Sequence, residues 1–284
     1  MRIPPASNPS LTASILTATL PALFLAGLCS ASPAALPEPP PPSHVRLGPD
    51  SVACGISPPR GGLPKGGKAG LIVWLHGGMR GPNREKGFEA HRGWLEYLPP
   101  RRYYVVSPSA YAGAEWPAGA GLRHIEEAVA HMLRTYPIDA ADVNMVGVSD
   151  GCLGVIAYSL QGAHPLRRRV LISSAPQLVL PLESLAGQPR FARGIWDFVQ
   201  GGKDRLFPAD QVMPYLERFR ALYPNARLHA FPEGEHDFSW YAAHAPDLLR
   251  SFFGIPASGM RGQADQNPAQ IPAAKPQKSP SPEK

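Results

Sequence analysis

Signatures of metal and redox chemistry are missing from this chain. Its three cysteines, Cys29, Cys54 and Cys152, form no C-x-x-C pair. Its nine histidines include no H-E-x-x-H and no pair at metal-ligand spacing. No metal is therefore expected. No glycine-rich loop opens a helix as a dinucleotide or phosphate cradle does, so no cofactor is expected either. Internal repeats are absent, which argues against a solenoid or propeller. A basic surface interleaved with aromatics is also lacking. The net charge of +6 falls to +4 over residues 44–256 (23 basic, 19 acidic), and the one basic cluster is Arg167-Arg168-Arg169. That cluster reads as a solvated turn before a strand, so no nucleic-acid partner is expected.

The two ends differ from the middle. Residues 1–43 hold 10 of the 35 prolines and residues 257–284 hold 5. Residues 1–34 carry a single charge, Arg2, then an apolar, Thr/Ser-diluted run from Leu11 to Leu28 and the small residues Cys29-Ser30-Ala31. This pattern predicts an export signal and a periplasmic or secreted product. A membrane anchor or a lipoprotein at Cys29 are the alternatives; Pro21 interrupts the run, so no stable span is expected after signal removal. Residues 35–64 read as a Pro/Gly-rich linker with a possible hairpin. Residues 65–256 read as one α/β domain, and residues 257–284 as a disordered Pro/Lys/Gln-rich tail.

Within the domain, apolar runs predict strands at 71–75, 103–107, 143–147, 169–173, 195–200 and 227–231. Helical spacing predicts helices at 120–135, 150–161, 209–223 and 239–253. Such alternation implies a mostly parallel sheet with helices on both faces. Only about 20 residues separate Ser174 from Ile195, too few for a large cap domain.

Chemistry concentrates at the C-terminal ends of the predicted strands, where open α/β sheets place their sites. Gly147-Val148-Ser149-Asp150-Gly151 is a G-x-S-x-G pentapeptide between a strand and a helix. A turn that sharp exposes the Ser149 hydroxyl and puts a helix N-terminus behind it. A serine nucleophile needs a base, and the base needs an acid to hold its tautomer. Asp204 follows the Gly201-Gly202 loop after the 195–200 strand. His236 follows the last strand, in Pro232-Glu233-Gly234-Glu235-His236. Asp197 lies inside its strand and Asp237 adjoins the base, so Asp204 is the expected acid. His76-Gly77-Gly78 after the 71–75 strand supplies an expected oxyanion donor, the Gly78 N–H, beside that of Asp150; only their backbones are expected to matter. His76 itself is expected to brace that loop. Tyr111, Trp116 and Trp240 are candidate substrate-binding residues, with ordinary packing the competing reading.

His76-Gly77-Gly78, the serine pentapeptide, Gly202-Lys203-Asp204 and Glu235-His236 occur in an order, with separations of 73, 55 and 32 residues, that resembles the α/β-hydrolase superfamily over roughly residues 65–253. The spacing is similar to the compact, capless carboxylesterase/thioesterase and dienelactone-hydrolase branches. Cys152 departs from the pattern, since many relatives have a second glycine there. The resemblance implies a serine hydrolase acting on a carboxylic ester or thioester, with a small-molecule or acyl ester substrate. A serine peptidase of the same fold and a non-catalytic binding protein on this scaffold are the alternatives. Oligomeric state is left open.

Overall fold

The structure is a computed structural model and describes residues 43–60, 62–63, 65–97, 102–117 and 119–253. The expected export signal at 1–34 and the tail at 257–284 lie outside the described residues. In chain order the elements are β1 (Ser43–Leu47), β2 (Val52–Ser57), β3 (Ala69–Leu75), α1 (Lys86–Tyr97), β4 (Tyr103–Pro108), α2 (Gly119–Thr135), β5 (Ile138–Val148), α3 (Asp150–Gln161), β6 (Arg168–Ile172), α4 (Leu182–Leu185), β7 (Ile195–Gly201), α5 (Ala209–Leu222), β8 (Ala226–Phe231), α6 (Phe238–His244) and α7 (Pro246–Ser251). One eight-stranded sheet runs β1-β2-β4-β3-β5-β6-β7-β8. β1 and β2 are an antiparallel hairpin, β2 meets β4 antiparallel, and every later pairing is parallel.

The central strands β3 and β4 and the second half of β5 are buried along their length because both faces of the sheet are covered there. Along β3, Leu71, Val73 and Leu75 enter the core shared with α2, α3 and α5. Ile72 and Trp74 enter the second core, with Tyr241 of α6 and Leu249 of α7. α1 packs on the same side, bringing Ala90 to that core. Each fully buried Leu, Ile or Val contributes roughly 1.5–3 kcal/mol, so the central strands anchor the fold.

Four features differ from the sequence expectations. The hairpin expected as possible within 35–64 is β1–β2, and it pairs with β4, so among the described residues the sheet begins at Ser43 and not after residue 65. α1 was not anticipated, because Gly87 and Gly93 interrupt its helical pattern. β5 starts at Ile138, well before the expected 143, because its first half is largely exposed and polar and shows no apolar run. The expected 239–253 helix is two helices. Pro246 disfavours the α conformation at the residue before it, and Ala245 sits at φ −133°, ψ 40°.

Cys54 and Cys152 are free and buried. Cys152 fills the space that a glycine would leave beneath the turn before α3, where its Sγ lies 3.2 Å from Gly147 O and 3.3 Å from Ile172 O. Burial pushes the Cys54 thiol up to about 12 and the Cys152 thiol up as well.

β3 and α3 approach through Gly151. A Cβ at this position would come 2.0 Å from Leu75 O and 2.7 Å from Leu75 C, both backbone atoms. Gly151→Ala is therefore expected to cost about 1–3 kcal/mol or more, the range for overpacking. Urea unfolding reads this as a lower midpoint at unchanged slope. An unshifted midpoint would contradict this close backbone contact.

Candidate active site

β5 ends at Val148, and α3 begins at Asp150. Ser149 alone makes the turn, at φ 53° and ψ −123°. A non-glycine residue in this left-handed region stores about 1–3 kcal/mol of strain. Two bonds hold it there: the Ser149 N–H donates to Ile172 O at 3.0 Å, and Ser149 O accepts the Cys152 N–H at 2.9 Å. Gly147 makes the turn possible, since a Cβ there would fall 2.5 Å from Gly151 C.

The loops after β7 and β8 lock together by backbone. The Gly202 N–H donates to Phe231 O at 2.8 Å and the Lys203 N–H to Gly234 O at 2.9 Å. Asp204 and His236 are thereby set facing each other. His236 Nδ1 lies 2.9 Å from Asp204 Oδ1 and 3.0 Å from Oδ2; His236 Nε2 lies 2.7 Å from Ser149 Oγ. With Asp204 ionised, Nδ1 carries the imidazole proton and Nε2 accepts from the serine hydroxyl. Burial pushes the Asp204 carboxyl upward, but the His236 bond and the Phe207 and Leu206 N–H groups outweigh it and hold the carboxyl below its usual range. Those two N–H bonds are 2.8 and 3.0 Å long. Of the rival acids, Asp197 is buried in β7 and bonds His229 at 2.9 Å. Asp237 precedes α6 and lines a depression of about 440 Å³ beside His236, with Arg205, Leu206 and Glu235.

The loop after β3 is held by charged and aromatic groups. His76 is buried, and burial pushes its ring down to about 4, so it is neutral. Its Nδ1–H donates to Gly77 O at 2.8 Å, while Nε2 accepts the Ala110 N–H at 3.1 Å. In a trans peptide the N–H opposes the C=O, so this bond turns the Gly78 N–H away from the His76 ring. The loop lies against the nucleophile: a Cβ on Gly77 would come 3.0 Å from Ser149 Cβ. Neither the Gly78 nor the Asp150 N–H has a protein acceptor among the described residues. The next peptide is clamped at both ends. Lys86 Nζ donates to Gly78 O at 3.1 Å, and the Met79 N–H donates to Asp150 Oδ2 at 3.1 Å.

Two sequence expectations change. Asp150 contributes its side chain as well as its backbone, because the carboxylate ties the start of α3 to the β3 loop. Trp116 is fully buried; its Nε1–H donates to His76 O at 3.0 Å and its ring packs on the imidazole at 5.1 Å. It supports the loop from below. Tyr111 lies under the Arg84 guanidinium at 4.8 Å, and Trp240 stacks on His244 at 4.4 Å. Neither hydrogen-bonds or stacks with Ser149, Asp204 or His236.

Three contributors escaped the sequence. Lys86 is one. Gln200, at the end of β7, accepts the Ser174 N–H and donates to Phe207 O, which joins the loops after β6 and β7. Phe207 sets its ring edge-on to His236 at 5.1 Å. The Asp204-Arg205-Leu206-Phe207-Pro208 run carries a readable signal for an Asp-anchored turn; Gln200 carries none.

Two measurements check this arrangement. A hydrogen bond to a carboxylate is worth about 1.5–3 kcal/mol. Asp150→Ala is thus expected to speed amide hydrogen exchange at Met79 by roughly ten-fold or more, while Asp150→Asn, which keeps an acceptor, stays near the parent. Equal exchange in all three proteins would remove the clamp. The second concerns acid. His76 and His91 are both pushed down to about 4 by burial, against ~6.5 unfolded. Between these values the unfolded chain binds protons that the folded one does not, so stability is full above ~6.5 and falls as pH drops toward 4. A melting temperature constant from pH 7.5 to pH 4.5 would contradict this.

No family model matches the sequence, and no curated protein is detectably similar to it in sequence. Solved structures are similar in architecture. A thermostable esterase aligns at TM-score 0.52 and 15% identity, over 72% of this chain and 56% of that one. Pyrococcus horikoshii acylaminoacyl peptidase aligns at 0.54 and 15%, over 79% and 43%. Thermogutta terrifontis esterase 2 aligns at 0.55 and 14%, over 78% and 97%. This chain spans about half the length of the first two. Its parallel sheet, the serine turn between β5 and α3, and these likenesses together give it the α/β-hydrolase fold, with no large cap among the described residues.

Proposed function

We propose that this chain is a serine hydrolase that cleaves a carboxylic ester or thioester. The observation that carries this reading is the unbroken hydrogen-bonded line from Ser149 Oγ through His236 to Asp204, at 2.7 and 2.9 Å. In the reaction, Oγ attacks the substrate carbonyl as Nε2 takes its proton. Asp204 stabilises the imidazolium. The Gly78 and Asp150 N–H groups receive the oxyanion, a contribution of about 3 kcal/mol per donor in comparable sites. Collapse of the tetrahedral adduct breaks the bond to the leaving alcohol or thiol, which takes the Nε2 proton. Water, deprotonated by His236, then attacks the acyl-serine, releasing the acid and restoring the serine hydroxyl.

An ester is favoured over a peptide by extent. Esterase 2 is matched over 97% of its length, whereas more than half of the acylaminoacyl peptidase lies outside the match. From the export signal expected at 1–34 we also propose a periplasmic or secreted location for this activity.

A fluorophosphonate probe and a panel of p-nitrophenyl esters, acyl thioesters and acyl-aminoacyl anilides test the reading. Labelling is expected on Ser149. Ser149→Ala should lower kcat on the preferred ester by a factor on the order of 10⁴ or more. Asp204→Asn, which favours the wrong tautomer, should cost up to about 10⁴, as in the best-studied triad. Turnover near the parent level in Ser149→Ala would overturn the nucleophile. Preference for the anilides would move the substrate class to peptides.

A further inference from the structure

α3 starts at the serine turn and ends about 18 Å away, at 1.5 Å per residue. Beside its far end is a depression of about 170 Å³ lined by Tyr158, His164, Arg169, Arg190 and Arg193, with no carboxylate in its wall. Arg169 is only 3% exposed. Its Nε donates to Ser159 Oγ at 2.9 Å, and its Nη1 donates to Arg193 O at 2.8 Å and Leu166 O at 3.3 Å. Its guanidinium also lies 4.6 Å over the Trp196 ring. Every one of these partners is neutral. Its Nη2 has no hydrogen-bond acceptor among the described residues. Arg190 donates to Leu160 O at 2.9 Å and to Gly162 O, neutral acceptors again. The Arg193 side chain makes no ion pair or hydrogen bond among the described residues.

Buried charges are normally paired, and a desolvated ion without a counter-charge costs several kcal/mol. Part of the compensation here is the C-terminal end of α3, equivalent to roughly half a negative charge. At the rim, the Glu126 carboxylate accepts the Ala163 N–H at 2.8 Å and the Tyr158 hydroxyl at 3.5 Å. It forms no ion pair with the three arginines. Three guanidiniums thus face half a charge and one offset carboxylate, which leaves a positive surplus. Burial, and then Arg190, push Arg169 down to about 10, which agrees with a cation lacking its partner. The depression under β3 and β4 differs. It gathers Lys68, Arg102, Arg167 and Arg168, but Asp139 and Asp142 line it too, and Arg167 pairs with Asp142 at 2.8 Å.

We propose that the Arg169–Arg190–Arg193 depression binds a small tetrahedral oxyanion, a phosphoryl or sulfate group. Its volume admits one such group with water, and guanidinium N–H forks match the oxygen geometry. The site lies at the opposite end of α3 from Ser149 and contains none of the groups assigned to hydrolysis, so it stands or falls independently of that assignment. An anion that binds only the folded state raises its stability by mass action.

The test is thermal unfolding of the full chain at fixed pH and ionic strength, titrated with millimolar phosphate, sulfate, glycerol phosphate or chloride. A saturable rise of several degrees is expected with the three oxyanions and none with chloride. Arg193→Gln removes a side chain with no hydrogen bond or ion pair among the described residues, so it should fold as the parent does and lose the rise. Calorimetric titration of the parent with phosphate should show one site, absent in the variant. Tighter binding of glycerol phosphate than of phosphate would identify an esterified phosphoryl group, and the reverse the free ion. A rise that persists in Arg193→Gln, a chloride effect as large, or no rise at all would overturn the proposal.

Discussion

The single-residue turn at Ser149 is the constraint on which the rest of this molecule depends. A serine at φ 53° is uphill in isolation, and it persists because strand and helix leave no other path between Val148 and Asp150. That path exists only while β5, β3 and α3 are in backbone contact, at Gly147 and Gly151. The two covered faces of the sheet supply the burial that offsets the strain. Core packing and hydroxyl placement are therefore one problem, solved together.

Around that turn, polar groups are placed by other polar groups. Asp204 accepts from His236, Leu206 and Phe207, so the carboxylate is fully occupied while shielded from water. His76 is neutral, and each ring nitrogen has one backbone partner, which leaves it a fixed orientation. The Asp197–His229 pair repeats the acid–imidazole contact within the sheet, with no serine hydrogen-bonded to the imidazole among the described residues. Such a contact is thus no mark of a nucleophilic site by itself; the third member at hydrogen-bond distance is what separates the two pairs.

The sheet from β3 to β8 was legible because each strand carries a short apolar segment, and α2, α3 and α5 because apolar residues recur in them at helical spacing. The identities of Ser149, Asp204 and His236 as candidates followed from chain order and from loops at strand ends. What escaped is of another kind. α1 was hidden by the glycines in its sequence, of which Gly87 packs against the Pro108 backbone, and the α6–α7 break by the helix-like run that continues across Pro246. The Asp150–Met79 bond joins residues 71 positions apart, and no local pattern announces it. Gln200 and Lys86 act by reaching across loops, which depends on the folded geometry alone. Trp116 stayed open between a pocket wall and the core because an indole suits both; its N–H, bonded to the buried His76 carbonyl, belongs to the core.

The backbone lock between the loops after β7 and β8 also has a mechanical meaning. Gly202 and Lys203 are tied to Phe231 and Gly234, so the acid and the imidazole sit on one bonded pair of loops. The hydroxyl sits on the turn between β5 and α3, with the β3 loop that Asp150 fastens to it. Of the two short contacts in the line, the one between imidazole and acid lies within the loop pair, and the one between imidazole and hydroxyl is the joint. Displacement of this rim would therefore open the 2.7 Å gap at Nε2 first, and leave the base already correctly oriented when the joint closes again.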